Sequence, residues 1–343
     1  MRRPMRFAAG ALTVAGIVGG GLASAQTTAP EADQGGAAPD HTAVYTLQGE
    51  NASISTAKLT DRYYVNGIRV GFTSGTGAAP AFAEELARTL YGAGQTRYSL
   101  GVSQQLYTPR DNQVRVPSSG DRPYAATLLA HVSLQQDSAD ARSTVGLDIG
   151  VLGPSALGQP LQNGFHDLIG QNHIAGWRTQ LKDEPVFEFL SSRAWRFPLG
   201  SVGPFETDSL VDLSAGVGNL KVYAEGGGQV RIGEGLGSDF GVARLRPGPS
   251  GGDTFRATVP IAYYAFAGVS GQAIAHNELL DGQTFRRSQS VRSEPFLGEF
   301  QAGLGVIYHG ARVTYTQVVQ SNEFRHQKGG PHQFGSLALS VRF

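Results

Sequence analysis

The sequence has 343 residues and no cysteine. That absence excludes a disulfide framework, a thiolate metal site and a cysteine nucleophile. Charge is also scarce: Asp, Glu, Lys and Arg make up 16% of the chain, against a typical ~25%. The 28 basic and 28 acidic side chains cancel, so the basic footprint of a nucleic-acid binder is missing and no nucleic-acid partner is expected. After residue 25 no apolar run is long enough for a spanning helix, which needs ~20 residues. The two methionines, Met1 and Met5, both lie at the very start. Glycine is what the chain has in excess, 47 residues, roughly twice the usual ~7%.

The first residues read as a processing signal. Arg2, Arg3 and Arg6 precede a small-residue apolar run from Phe7 to Leu22, and Ala23-Ser24-Ala25 supplies a cleavage site. This is the layout of a secretory signal peptide over residues 1–25. The run is too short and too rich in Ala and Gly for a membrane anchor. Removing it takes three arginines and leaves 25 basic against 28 acidic side chains. Residues 26–42 carry Pro, Gly, Ala and acids without periodicity, the composition of a disordered leader.

From residue 43 to 343 the pattern has period two, the mark of a strand with two unlike faces. Leu337, Leu339, Val341 and Phe343 point one way, and Ser336, Ala338, Ser340 and Arg342 the other. Phe296, Phe300, Ala302, Leu304, Val306 and Tyr308 repeat it, as do Val145, Leu147, Ile149 and Val151. Further segments fall near 43–50, 64–74, 96–107, 123–136, 185–197, 207–217, 219–234, 258–274 and 311–323, twelve in all. Soluble strands mostly run ~5–6 residues, whereas several segments here reach the length that crosses a bilayer at a tilt. The pattern therefore predicts an all-β fold, a twelve-stranded antiparallel transmembrane β-barrel with a short loop helix. Tyr98, Tyr107, Tyr124, Trp195, Phe197, Tyr308 and Tyr315 stand near segment ends and suit interfacial girdles. An even strand number leaves no edge unpaired in lipid. With twelve strands and bulky inward groups, a plugged lumen is expected over a wide pore.

One stretch changes period. From Pro160 to Ile169, Leu161, Phe165 and Leu168 share one helical face, with Pro160 in the first turn and Gly170 as a stop. Gln162 and His166 are neighbours on an adjacent face. The apolar stripe is expected to lie against the barrel and hold His166 over the wall; the alternative is a loop helix with a hydrogen-bonded histidine. Weaker motifs carry less. Gly248-Pro249-Ser250-Gly251-Gly252 spells G-x-S-x-G but lacks the strand–elbow–helix context of a nucleophile. Gly226-Gly227-Gly228 and the cluster from Gly233 to Gly237 read as strand kinks or turns. Arg244, Arg246, Arg286 and Arg287 read as loop arginines, and Asn277 to Gly282 reads as a loop.

Six blocks in order resemble the outer-membrane lipid A 3'-O-deacylase family, the LpxR-like proteins. They are Gly49-Glu50-Asn51; Asp61-Arg62-Tyr63-Tyr64 with Asn66-Gly67; Tyr107-Thr108-Pro109; Asp121-Arg122-Pro123-Tyr124; Gly153-Pro154 followed by Gln162-Asn163 and His166; and Gly176-Trp177 with Gln180-Leu181 and Asp183-Glu184-Pro185. The match spans about residues 44–197. The resemblance implies a barrel in the outer membrane that acts on lipid A of lipopolysaccharide. It also implies a calcium-dependent esterase that removes a 3'-linked acyloxyacyl group. His166, Gln162 and Asn51 are then the candidate catalytic residues, with His166 as general base. Asn66, Asn163, Tyr107 and Arg122 are the candidate substrate-binding residues, and Asn51, Glu50 and Asp61 the candidate calcium ligands. Terminal Phe343 resembles the signal read by the barrel assembly machinery.

Two positions depart from the family pattern: Ala52 stands where the family has an acid, and Val65 where it has threonine. Losing a carboxylate removes charge that sets calcium affinity, and valine makes no hydrogen bond. Two readings follow, a working ester hydrolase and a barrel of the same fold that binds lipid or serves structurally without catalysis.

Overall fold

The computed structural model describes residues 39–55, 62–242, 245 and 253–343. The processing signal, most of the leader, Asp61, the G-x-S-x-G stretch, Arg244 and Arg246 lie outside the described residues. Twelve strands run in chain order: β1 (Val44–Asn51), β2 (Tyr63–Thr73), β3 (Gln95–Thr108), β4 (Ala125–Asp137), β5 (Ala141–Leu152), β6 (Glu184–Val202), β7 (Phe205–Gly218), β8 (Lys221–Glu234), β9 (Ile261–Asn277), β10 (Phe296–Tyr308), β11 (Ala311–Gln320) and β12 (His332–Arg342). Each pairs antiparallel with its sequence neighbour. The cylinder closes where β1 meets β12, from Val44 opposite Arg342 to Asn51 opposite Gly335. Three helices interrupt the strands: α1 (Ala81–Tyr91), α2 (Gly158–Ile169) and α3 (Glu278–Asp281). The stretch read as a loop at Asn277 to Gly282 thus contains α3, whose first turn is capped by the Asn277 side chain accepting from the Leu279 N–H at 3.1 Å. No helix among the described residues is long and apolar enough to cross a membrane.

The two faces of the wall are inverted relative to a water-soluble protein. Leu47, Val70, Leu100, Val102, Val132, Leu304 and Leu339 point outward and are about half exposed. Thr46, Gln48, Arg69, Ser103, Gln105, Thr314, Ser336 and Ser340 point inward and are buried. An apolar band that wraps a polar interior is stable only in hydrocarbon. At the rim holding the chain ends, Tyr45 packs on Phe72 (5.2 Å between centroids) and on Phe343 (5.6 Å), and Phe72 on Tyr98 (5.9 Å). This is one arc of an aromatic girdle. Asp40, from the end of the leader, is fastened at the same rim by Arg97 (3.1 Å) and Arg342 (2.7 Å).

The lumen is filled by the chain itself. The connection between β8 and β9 folds inward and meets strands all around the cylinder. Arg69 of β2 forks onto Asp253, Gln105 of β3 donates to the Leu245 carbonyl (3.0 Å), and Gln135 of β4 donates to Thr254 (2.8 Å). Asp239 accepts from Arg231 of β8 (2.6 Å), Tyr264 of β9 (2.7 Å) and Arg312 of β11 (3.2 Å). Charges taken out of water need such partners, because an unpaired buried ion costs several kcal/mol.

Candidate active site

The 153–183 connection, on the rim opposite the chain ends, lies on the outside of the wall. Strand alternation turns Leu106 and Ala126 outward, and these pack with Val65 and Tyr124 and with Ala156, Ile174 and Trp177 of the connection into one buried cluster. Val65 is the extra residue of a bulge in β2, between Tyr64 and Asn66 in the pairing with β3. A bulge re-aims the side chain beside it, and here Val65 joins the cluster that contains Trp177. Close approach is built in by glycine. A Cβ on Gly158 would come within 2.6 Å of the Ala126 methyl and 2.8 Å of the Trp177 ring, and one on Gly176 would overlap the Tyr124 ring.

Helix α2 forms where the spacing predicts it, and Gly170 ends it in the left-handed conformation with φ 69°. Its orientation is the reverse of the expected one. Leu161, Phe165 and Leu168 are exposed, Leu168 by 82%, while Gly158, Gln162 and His166 are turned to the protein and buried. The reason is the solvent: a helix on the outer wall of a membrane barrel turns its apolar stripe to lipid and its polar groups to protein.

The buried polar face is specifically bonded. Trp177 donates its indole N–H to Gln162 Oε1 at 3.0 Å. Indole nitrogen only donates, so the Gln162 oxygen must face it and the amide NH₂ is left to donate elsewhere. His166 Nδ1 stands 2.6 Å from the Asn172 carbonyl. A carbonyl only accepts, so Nδ1 carries a proton, and in the neutral ring Nε2 is the nitrogen with the lone pair. His166 lines a polar cavity of about 420 Å³ together with Asn112, Gln113, Gly170, Gln171 and Asn172. Neither Asn172 nor Asn112 and Gln113 bears a sequence signal, since their part depends on how two loops meet.

The other candidates separate. Asn51 and Asn66 face each other across β1 and β2, with Asn51 Nδ2 donating to Asn66 Oδ1 at 3.2 Å. The Asn51 oxygen caps the short 3₁₀ turn Ala52–Ile54 by accepting from the Ser53 N–H at 2.6 Å. No hydrogen bond joins this pair to His166 among the described residues. Asn163 accepts from the Ile174 N–H at 3.0 Å and fastens the end of the loop to α2. Glu50 points into the lumen, where its carboxylate accepts from Tyr64 O–H at 2.8 Å. Alternation places it on the opposite face of the wall from Asn51, so the two cannot share an ion. Tyr107 also turns inward, with the fully buried Arg122 guanidinium 4.5 Å over its ring and bonded to Glu323 at 2.8 Å. Both residues close the barrel mouth and do not line the outer wall.

The described residues do not fit a calcium ion at Asn51. Ala52 is buried, the Asn51 oxygen is committed to Ser53, and among the described residues, which do not include Asp61, no acid is bonded to Asn51. Among the described residues no group of three or more His, Asp or Glu is placed to hold a metal. A second constellation, unseen in the sequence, crosses three neighbouring strands inside the lumen: Ser103 Oγ lies 2.7 Å from His131 Nε2, and His131 Nδ1 2.7 Å from Asp148. The order is that of a nucleophilic triad, but Ser103 is only 2% exposed. It is a buried polar chain that crosses between strands.

A family model described as outer membrane protein LpxR matches residues 11–343. Among solved structures, LpxR from Salmonella typhimurium superimposes with a TM-score of 0.71 at 19% identity, covering 88% of this chain and 100% of that one. At that identity the likeness concerns the fold. The β domain of a Bordetella autotransporter (TM-score 0.42, 8% identity, 89% of this chain and 99% of that) and an outer membrane channel from Pseudomonas putida F1 (0.39, 10%, 92% and 100%) are more distant and carry no argument. No curated protein matches the chain.

Proposed function

This chain belongs to the LpxR family of outer-membrane proteins, and on that footing we propose that it is an ester hydrolase that removes a 3'-linked acyloxyacyl chain from lipid A, with His166 as general base. The observation that carries this reading is the hydrogen bond between His166 Nδ1 and the Asn172 carbonyl. The Nδ1–H is held by Asn172, which leaves Nε2 as the acceptor of the neutral ring, and His166 lines a polar cavity. One helical turn away Gln162 is oriented by Trp177 so that its NH₂ is free to donate. Leu161, Phe165 and Leu168 offer the acyl chains a hydrocarbon-facing ridge on the same helix.

The reaction follows from these groups. Water, losing a proton to His166 Nε2, attacks the ester carbonyl. Gln162 N–H donates to the oxygen that gains charge. The tetrahedral intermediate collapses, the C–O bond to the sugar breaks, and the imidazolium returns its proton to the leaving sugar oxygen. The products are an acyloxy-substituted fatty acid and a free 3'-hydroxyl. A second reading, a lipid-binding barrel without catalysis, is favoured by Ala52 and Val65, which fill with apolar packing the two positions where the family pattern has polar groups.

Incubation of the refolded protein with outer membranes, with and without chelator, followed by mass analysis of lipid A, decides between them. Loss of an acyloxyacyl unit that disappears in His166→Ala supports the hydrolase. An unchanged lipid A profile with calcium present overturns it and leaves the second reading. A chelator that leaves deacylation intact agrees with the poor calcium fit.

A further inference from the structure

We propose that α1 is a membrane-interface helix that inserts its free apolar edge into the leaflet at the rim holding the chain ends. At 100° per residue, Phe82, Leu86, Leu90, Ala83, Ala87 and Tyr91 form one continuous apolar arc, and Glu84, Glu85, Arg88 and Thr89 the polar remainder. Half of the arc is used by the protein: Ala83 and Ala87 are buried. The other half is bare, with Phe82 76%, Leu86 44% and Leu90 50% exposed.

The neighbours of the helix identify the occupant. Gln136 of β4 alternates with the lumenal Gln135, so it faces outward, yet it is buried and donates to the Gly92 carbonyl that ends α1 (2.6 Å). Thr96, its partner on β3, also faces outward and is buried. The helix therefore sits on the outside of the wall. The next outward pair along the two strands is Tyr98 opposite Leu134, with Tyr98 in the aromatic girdle, and then Leu100 opposite Val132 in the exposed apolar band. α1 starts where the hydrocarbon-facing band stops, at the depth of an interfacial helix. Its three bare side chains make too small a patch for a stable protein contact, which takes roughly 800 Å² per partner; lipid requires no shape match.

The absence of cysteine makes the test direct, because each introduced thiol is unique. Leu86→Cys, Leu90→Cys and, on the polar arc, Arg88→Cys are nitroxide-labelled and reconstituted in vesicles of phosphatidylethanolamine and phosphatidylglycerol. The folded barrel is verified by its fast gel migration. Collision with oxygen should exceed collision with a water-soluble nickel chelate several-fold at 86 and 90, with the reverse at 88. Nickel access at 86 and 90 equal to that at 88 places the edge in water and overturns the proposal. Shielding of 86 and 90 from both reagents, the signature of a second copy or another protein, overturns it too.

Discussion

Replacing Asp239 tests how the lumen is held. Its carboxylate is fully buried and receives Arg231 (2.6 Å), Tyr264 (2.7 Å) and Arg312 (3.2 Å). Asp239→Ala leaves Arg231, itself 0% exposed, to share Asp208, and takes from Arg312 one of its acceptors, alongside the Gly241 and Asp253 carbonyls. Removing one partner of a buried pair costs roughly 3–5 kcal/mol. Because this acid serves two guanidiniums, the upper part of that range is expected. Asp239→Asn keeps the volume and one oxygen, but it loses the charge assistance of bonds worth about 1.5–3 kcal/mol each and turns an NH₂ toward a guanidinium or the Gly241 N–H that can only donate; with one acceptor kept it should fall between Ala and the parent chain. Denaturant titration in detergent micelles, read by loss of the fast-migrating folded band, measures both. The same carboxylate ties the inward connection to β8, β9 and β11, so planar bilayers holding Asp239→Ala should show conductance steps that the parent chain lacks. An Ala variant within ~0.5 kcal/mol of the parent, the range of an indifferent surface change, would refute the view that these charges hold the lumen closed.

Trp177→Phe keeps most of the ring but strips the N–H from Gln162 Oε1. A buried acceptor left unsatisfied costs about 1–3 kcal/mol, and Gln162 is then free to turn, so lipid A deacylation should fall with the barrel's gel migration unchanged. Burial pushes the Asp40 carboxyl up, but Arg342, Thr42 and Arg97 outweigh it and hold it below the usual carboxylate range. The resulting stability is present above the ordinary carboxylate pKa and is lost as pH falls; Asp40→Asn should lower the unfolding midpoint at pH 7 and flatten its decline in acid. Glu278 has the opposite sign. Burial, then a hydrogen bond with Glu184, pushes its carboxyl up to about 8. The folded chain holds that proton while the unfolded chain releases it, so stability declines as pH rises from the ordinary carboxylate value to about 8. Glu278→Gln should abolish this alkaline decline in the same titration.

The strands were legible because alternation is a local property, visible in runs such as Leu337 to Phe343 without knowledge of what they pair with. The end of α2 was equally legible, since Gly170 takes the left-handed conformation that stops a helix. What the sequence could not carry is partnership at long range. Arg69 and Asp253 meet across 184 positions, Ser103 and His131 across 28, and neither spacing leaves a periodic trace. Glu50 and Asn51 look like one ligand pair in sequence and are parted by the wall, because adjacent strand residues face opposite sides.

The reversed face of α2 has a different cause. Reading Leu161, Phe165 and Leu168 as the side that packs assumes water outside the protein, and the same assumption would misplace Phe82, Leu86 and Leu90 on α1. Both helices lie on the outer wall, where hydrocarbon or its boundary replaces water, and in each the buried face is the one with small or polar residues: Ala83 and Ala87 on α1, Gly158, Gln162 and His166 on α2. Once twelve alternating strands imply a membrane, the buried side of any wall-mounted helix is found by looking for small residues and polar groups. By that rule His166 sits against the protein because it is polar, which is also what lets Asn172 fix its proton.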